Sequence, residues 1–347
     1  MSARAPAARF DQDALRRAVD TTLTDFMEDR VDDARRRGLP QQAAEVLAEF
    51  VRGGGKRIRP MLCLAGWQAA GGAAAVPPPV LKAAASLEMF HAFALIHDDI
   101  IDLSDTRRGR PTVHRRLNTD AALLIGDLAL VFADDLLHGA ALTPAQLRAA
   151  LPITNSMRAD TIYGQYLDVS YSGNPPDSLD PPLAIIRYKT ARYTVEGPLL
   201  LGAALADVSD ATACAPVLSA YGIAVGEAFQ LRDDLLGVFG DPAETGKPAL
   251  DDLREGKATV LMALALRNAD AAQRATLHRE VGNPRLTRRG AEQVRAVLTA
   301  TGARAAVEEM IDQRRRSALA ALDAADMPPH IAAELRSLAF SATARTT

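Results

Sequence analysis

Hydrophobic residues recur close to every 3.6 positions from Ala14 almost to the C-terminus, and no useful stretch alternates apolar with polar. That pattern commits the chain to helices. Breaks fall at Gly53–Gly55, Gly71–Pro79, Arg107–Pro111, Ser172–Pro182 and Phe239–Ala249, where Gly and Pro stop helices for backbone reasons. Between them the pattern predicts helices over about 57–70, 79–102, 118–139, 144–170, 183–207, 212–237 and 251–268. Weaker ones follow over about 287–300, 302–324 and 328–341. No break is long enough for a domain linker. The expected class is therefore all-α, with a short disordered arm over 1–13 and one helical domain over 14–345.

Composition narrows the function. Hydrophobic residues reach 48% while aromatics are only 5%, so Ala and Leu carry the apolar content, as suits helices. A net charge of −3 argues against a globally basic nucleic-acid binder. Cys63 and Cys214 sit far apart in apolar stretches, as expected of reduced core thiols in a cytoplasmic protein. No uninterrupted apolar run approaches the ~20 residues that span a bilayer, so no transmembrane segment is expected.

Charge is informative locally. His97-Asp98-Asp99-Ile100-Ile101-Asp102 ends an apolar helix, and its carboxylates at i, i+3 and i+4 spacing share a face. Like charges so placed repel unless a cation takes up the charge, and hard carboxylate oxygens suit Mg²⁺. Alone, such a triad is more often a solvated helix end than a metal site. A second cluster, Gln230-Leu231-Arg232-Asp233-Asp234, also closes a long apolar helix, with Asp241 after the following turn. Two such endings could face each other across a helical bundle and clamp a polyanion through cations.

Basic residues complement them. Gly53-Gly54-Gly55-Lys56-Arg57-Ile58-Arg59-Pro60 puts three cations beside flexible backbone ahead of a helix. Exposed N–H groups and Arg forks suit phosphate oxygens, although a basic surface turn reads the same in isolation. The spacing is not that of a P-loop. Arg107, Arg108 and Arg110 follow the first acidic cluster, and Lys189, Lys247 and Lys257 add further cations.

Taken together, GGGKRIRP, HAFALIHDDIIDLSDTRRGRPTVH, the region of Gln165 and Asp168, Tyr188-Lys189-Thr190 and FQLRDDLLGVFGDPAETGKPALDDLREGKAT resemble the isoprenyl diphosphate synthase (polyprenyl synthetase) family, in order, over positions 53 to 260. The resemblance implies a bundle of antiparallel helices around a deep cavity, and a homodimer. It implies that Asp98, Asp99 and Asp102 hold Mg²⁺ on an allylic diphosphate and that Asp233 and Asp234 hold a further ion, with about three ions in all when substrate is bound. The second motif departs from the common DDxxD form: its fifth position is Gly237, and Asp241 is a candidate to contribute instead. By the same resemblance Arg107, Lys189, Thr190, Gln230, Lys247 and Lys257 contact the allylic diphosphate. Lys56, Arg59, His91 and Arg108 contact isopentenyl diphosphate.

The implied reaction is ionisation of the allylic diphosphate, attack by isopentenyl diphosphate and loss of a proton. The growing tail should run from Asp98 toward the N-terminal side of its helix. Phe93, five positions back, lies about 7.5 Å along the axis, with Phe90 a turn deeper and small Ala94 leaving space. A floor at Phe93 and an uninserted first motif resemble geranylgeranyl (C20) synthases, with farnesyl (C15) the alternative. Phe90 also reads as an ordinary core aromatic. A class I terpene cyclase and a non-catalytic subunit are the further alternatives, and both leave the basic GGGKRIRP segment or the intact first triad unexplained.

Overall fold

Helix formation begins where Asp11 accepts the backbone N–H of Ala14, at 3.0 Å, and so caps α1 (Gln12–Arg36). The computed structural model describes residues 10–206, 211–240 and 250–344. After α1 come α2 (Gln41–Arg52), α3 (Ile58–Ala69) and α4 (Pro78–Ile101), then a short hairpin of β1 (Thr106–Arg107) and β2 (Arg110–Pro111). There follow α5 (Val113–Arg116), α6 (Thr119–His138), α7 (Pro144–Tyr171), α8 (Asp180–Ile185), a π-helix over Ile186–Glu196, α9 (Gly197–Leu205) and α10 (Ala211–Phe239). Helices over Asp251–Glu255, Val260–Asn268, Ala271–Glu280, Arg288–Ala300, Ala303–Asp323 and Pro329–Thr343 complete the described chain.

The all-α class is as expected, and most boundaries fall where the Gly and Pro breaks put them. Four local differences have physical causes. The first helix starts at Gln12, inside the span read as an arm. The span read as one helix over 251–268 is two, because Gly256 adopts φ 64° and closes the first. The span over 183–207 is interrupted by eleven residues of π-helix, a widening that apolar spacing does not report. The hairpin at 106–111 is too short to show alternation.

A fifth difference concerns membranes. Helix α4 is long and apolar enough, by length and average composition alone, to cross a bilayer, although Lys82 and Glu88 interrupt its apolar run. Yet 67% of that window is buried within the protein, as in a core helix.

The chain forms two compact units. One takes Met1–Ile153, Pro198–Ala215 and Met327–Ala332; the other takes Thr154–Gly197, Pro216–Asp326 and Ala333–Thr347. In the first, α4 is the central helix, burying Ala83, Ala84, Leu87, Met89 and Phe90 against α1, α3 and α6. Helices α3 and α9 approach so closely that a Cβ at Gly202 would lie 1.8 Å from the Cys63 carbonyl oxygen. Cys63 is a free thiol in this contact, and burial pushes its pKa up to about 12.

In the second unit Leu231, Leu235, Val260, Leu264, Val294 and Val307 share one apolar core. Its π-helix is gripped by glycines on both sides. A Cβ at Gly164 of α7 would meet Lys189 N at 2.3 Å, one at Gly226 of α10 would meet Ala191 Cα at 2.5 Å, and one at Gly222 would meet Glu196 Cα at 2.7 Å. The obstacles are backbone atoms, which cannot yield as a flexible side chain does. Gly226→Ala is therefore expected to destabilise the protein by about 2–3 kcal/mol through overpacking. A thermal unfolding midpoint equal to that of the parent protein would contradict this account of the π-helix.

Candidate active site

The sequence-predicted residues assemble in two groups, one in each unit. In the first, α4 ends at Ile101 with Asp102 as its C-cap, so Asp98, Asp99 and Asp102 all lie at the negative end of the helix dipole. The hairpin that follows supplies the compensating charge. Arg108 and Gly109 form its corner with φ of 53° and 73°, the doubly left-handed geometry of a type I′ turn. This turn sends Arg107 back to Asp99: Nε donates to Oδ1 at 2.8 Å and to Oδ2 at 2.9 Å, and Nη2 stands 2.7 Å from Oδ1. Asp99 is buried, and burial raises its pKa against the opposing pull of Arg107. Arg107 Nη2 also reaches Asp98 Oδ2 at 3.5 Å. Asp98 and Asp102, one turn apart, are both partly buried.

The next residue along, Arg108, turns to the glycine loop, where Nη1 donates to the Gly54 carbonyl. A Cβ at Gly55 would lie 3.1 Å from Arg108 Nη2, so the loop and this guanidinium are in contact. Within GGGKRIRP the three cations divide their work. Arg57, itself left-handed at φ 50°, is buried and fully tied down: Nε donates to Asp20 at 2.7 Å, Nη1 to Glu88 at 2.9 Å and Nη2 to the Val51 carbonyl at 2.8 Å. That clasp shapes the loop that carries Lys56 and leads into α3, where Arg59 stands. His91 joins this group from α4. Burial first, then Arg59, Arg108, Arg107 and Arg57, hold its pKa well below the ordinary imidazole value, so it stays neutral. A cleft of about 310 Å³ beside the loop is lined by Gly53, Arg107, Arg108, Arg110 and Arg116.

Further down α4 the aromatic rings stack along one face. Phe90, fully buried, lies 5.4 Å from Phe93 between centroids, and Phe93 lies 4.7 Å from His97. Ala94 is half-buried beside them.

In the second unit a polar chain links the π-helix to the acidic end of α10. Lys189 Nζ donates to Asp168 Oδ2 at 2.6 Å. Thr190 Oγ1 donates to Gln230 Oε1 at 2.8 Å, and Gln230 Nε2 donates to Asp234 Oδ1 at 2.8 Å. Burial pushes Asp234 up to about 7; Gln230 and Lys257 oppose the shift, and Asp252 and Asp233 add to it. Lys257 Nζ lies 3.2 Å from Asp252 Oδ1.

Asp252 is the residue that motif reading overlooked. A Cβ at Gly237 would stand 1.8 Å from Asp252 Oδ2, so this carboxylate occupies the space beside the motif's fifth position. The available signal was the pair itself, a Gly where the pattern has Asp and an Asp-Asp fifteen residues on. Asp241 and Lys247 lie outside the described residues.

Among the described residues no three His, Cys, Asp or Glu side chains converge as a ready-made metal cage. Mg²⁺ commonly takes one or two carboxylates, with phosphate oxygens and water completing the octahedron, so a partial donor set of carboxylates fits it. Asp98 with Asp102 on α4, and Asp252 in the cradle at Gly237 near Asp234, are carboxylates of that kind.

Comparison with known proteins agrees. Residues 40–300 match the family model "Polyprenyl synthetase". The geranylgeranyl pyrophosphate synthase of Corynebacterium glutamicum, solved with isoprenyl diphosphate and magnesium, superposes with a TM-score of 0.89 at 41% identity, covering 96% of this chain and 99% of that one. Geranylgeranyl diphosphate synthase of Mycobacterium tuberculosis is 35% identical over 281 residues, 80% of this chain and 78% of that protein. The (2E,6E)-farnesyl diphosphate synthase of Mycobacterium bovis is 36% identical over 225 residues, 63% of this chain and 59% of that protein. With the helical architecture, the acidic helix ends and these likenesses in agreement, the chain belongs to the polyprenyl synthetase family and is a prenyltransferase of the isoprenoid synthase fold.

Proposed function

We propose that the protein condenses isopentenyl diphosphate head-to-tail with an allylic diphosphate in a Mg²⁺-dependent reaction, and that its main product is geranylgeranyl diphosphate. The observation that carries this reading is the gathering of Arg59, His91, Arg107 and Arg108 around a glycine loop beside the acidic end of α4. Carboxylates and several cations side by side suit a ligand that brings its own negative charge and metal. A terpene cyclase has no use for a second diphosphate pocket.

The chain's residues then have separate tasks. Lys56, Arg59 and Arg108 hold the diphosphate of isopentenyl diphosphate, and neutral His91 offers a hydrogen bond without adding charge. Asp98 and Asp102 bind metal, with Asp99 and Arg107 fixing the helix end. These carboxylates, with Asp233 and Asp234, would hold Mg²⁺, which would supply positive charge to a departing diphosphate. Lys189 and Lys257 are cationic contacts for an allylic diphosphate. As the allylic C–O bond ionises, the oxygen dipoles of Thr190 and Gln230 steady the carbocation. The double bond of isopentenyl diphosphate attacks, and the released diphosphate accepts the proton. Phe93 and Phe90 limit the tail. Asp252 supplies, from a separate short helix, the carboxylate that Gly237 omits.

Incubation with Mg²⁺, isopentenyl diphosphate and each allylic primer is expected to give a C20 diphosphate by mass analysis. A C15 end product would replace the chain-length reading, and no product from any primer would overturn the enzyme reading. Asp98→Ala and Asp233→Ala are each expected to lower turnover by about 100-fold or more, the scale of losing charge stabilisation in a transition state.

For Asp252 the readout is metal binding. Asp252→Ala should weaken Mn²⁺ binding in the presence of pyrophosphate by about 10-fold in a calorimetric titration. The swapped variant Gly237→Asp with Asp252→Gly should recover it. Equal affinities in all three proteins would remove Asp252 from the site.

His91 provides a test by pH. Its folded-state pKa is depressed, so its stabilisation is present above the unfolded value near 6.5 and is lost as pH falls below it. The melting temperature should fall between about pH 6.5 and pH 5, and His91→Gln should flatten that slope. Identical slopes would show that His91 carries no such burden.

A further inference from the structure

His97 immediately precedes the first acidic motif, yet no metal or substrate role falls to it. It is nonetheless held from three sides. The Nε2–H tautomer donates to the Leu123 carbonyl of α6 at 3.1 Å, since a carbonyl can only accept, and Asp127 Oδ1 stands at 3.6 Å on the same side. One edge of the ring fills the place of a missing side chain on α6, where a Cβ at Gly126 would lie 2.2 Å from His97 Cδ2 and 2.3 Å from Nε2. Its face meets Phe93, with centroids 4.7 Å apart and planes at 58°.

Phe90, Phe93 and His97 are spaced i, i+3 and i+7, which puts them on one face of α4. The rings form a ladder, with Phe90 and Phe93 5.4 Å apart and tilted by 37°. Phe93 is therefore boxed along the axis, with a ring above and a ring below. Phe90 is anchored by complete burial. The other end of the box is His97, and what fixes His97 is α6.

We infer that His97, seated in α6 through Gly126, is a positioning residue that sets where the Phe93 ring stands and hence how long a prenyl tail the enzyme builds. This rests on the reading of Phe93 as the floor of the tail cavity. Removing the imidazole face lets Phe93 rise into the vacated space, toward Asp98, and makes the cavity shallower. A methyl group at position 126 drives the imidazole off its seat and onto Phe93, which pushes the ring away from Asp98 and deepens the cavity. The two changes should act in opposite directions, which general damage to the fold would not produce.

The test compares Phe93→Ala, His97→Ala, His97→Gln and Gly126→Ala with the parent enzyme, using isopentenyl diphosphate and dimethylallyl diphosphate. Turnover and the mass distribution of products are read together. His97→Gln retains a donor for the Leu123 carbonyl and loses the ring face, so it remains informative if circular dichroism shows that His97→Ala does not fold. Phe93→Ala should raise the ratio of longer to parent-length products by about 10-fold, the discrimination a site commands over one small apolar increment, and His97→Gln should lower it by a similar factor. Gly126→Ala should shift the distribution toward longer products. If Phe93→Ala lengthens the product while His97→Gln and Gly126→Ala alter only turnover, His97 serves the acidic helix end rather than the floor and the inference fails. If Phe93→Ala leaves the products unchanged, the floor reading fails first and the inference falls with it.

Discussion

Negative charge collected at the C-terminal ends of two apolar helices is the constraint on which the rest depends. The dipole makes such an end the unfavourable place for an aspartate; α4 carries Asp98 and Asp99 in its last turn, while Asp233 and Asp234 lie in α10 a turn or more before its end at Phe239. Each unit offsets part of this charge with its own cations. In the first, the tight hairpin after α4 returns Arg107 onto Asp99. In the second, Lys257 pairs with Asp252 beside the α10 cluster. Asp234 is pushed up to about 7 chiefly by its burial, with Asp252 and Asp233 adding to the shift.

Close approach is the second theme, and glycine provides it wherever a functional side chain must be held. Gly126 admits His97, Gly164 and Gly226 admit the π-helix with Lys189 and Thr190, and Gly237 admits Asp252. In each case the missing Cβ belongs to one element and the seated group to another. The α-helical hydrogen-bond pattern would have put Lys189 and Thr190 in a narrower turn. The π-helix widens it, and backbone contacts from α7 and α10 hold the widening in place.

Much of this was legible in the sequence, for a simple reason. Helices of two or more turns leave a 3.6-residue trace, so α3, α4, α6, α7 and α10 fall within a residue or two of their expected spans. Acidic helix ends were legible because repulsion between i and i+4 carboxylates is a local property. The GGGKRIRP segment was legible as a cationic loop, but not the division of labour within it: that Arg57 is consumed by Asp20 and Glu88 depends on residues 37 and 31 positions away. Asp252 escaped because its neighbour across space is a glycine, and an absent side chain leaves no motif.

The sequence by itself determined the helical class, the placing of the charged helix ends and the family, because periodicity, like-charge spacing and ordered motifs are all properties of neighbours along the chain. Tertiary structure decided which charges are spent internally and which face outward, where the backbone widens into a π-helix, and which side chain fills the gap each glycine leaves. Those outcomes depend on distances between segments far apart in the chain, and no local pattern encodes them.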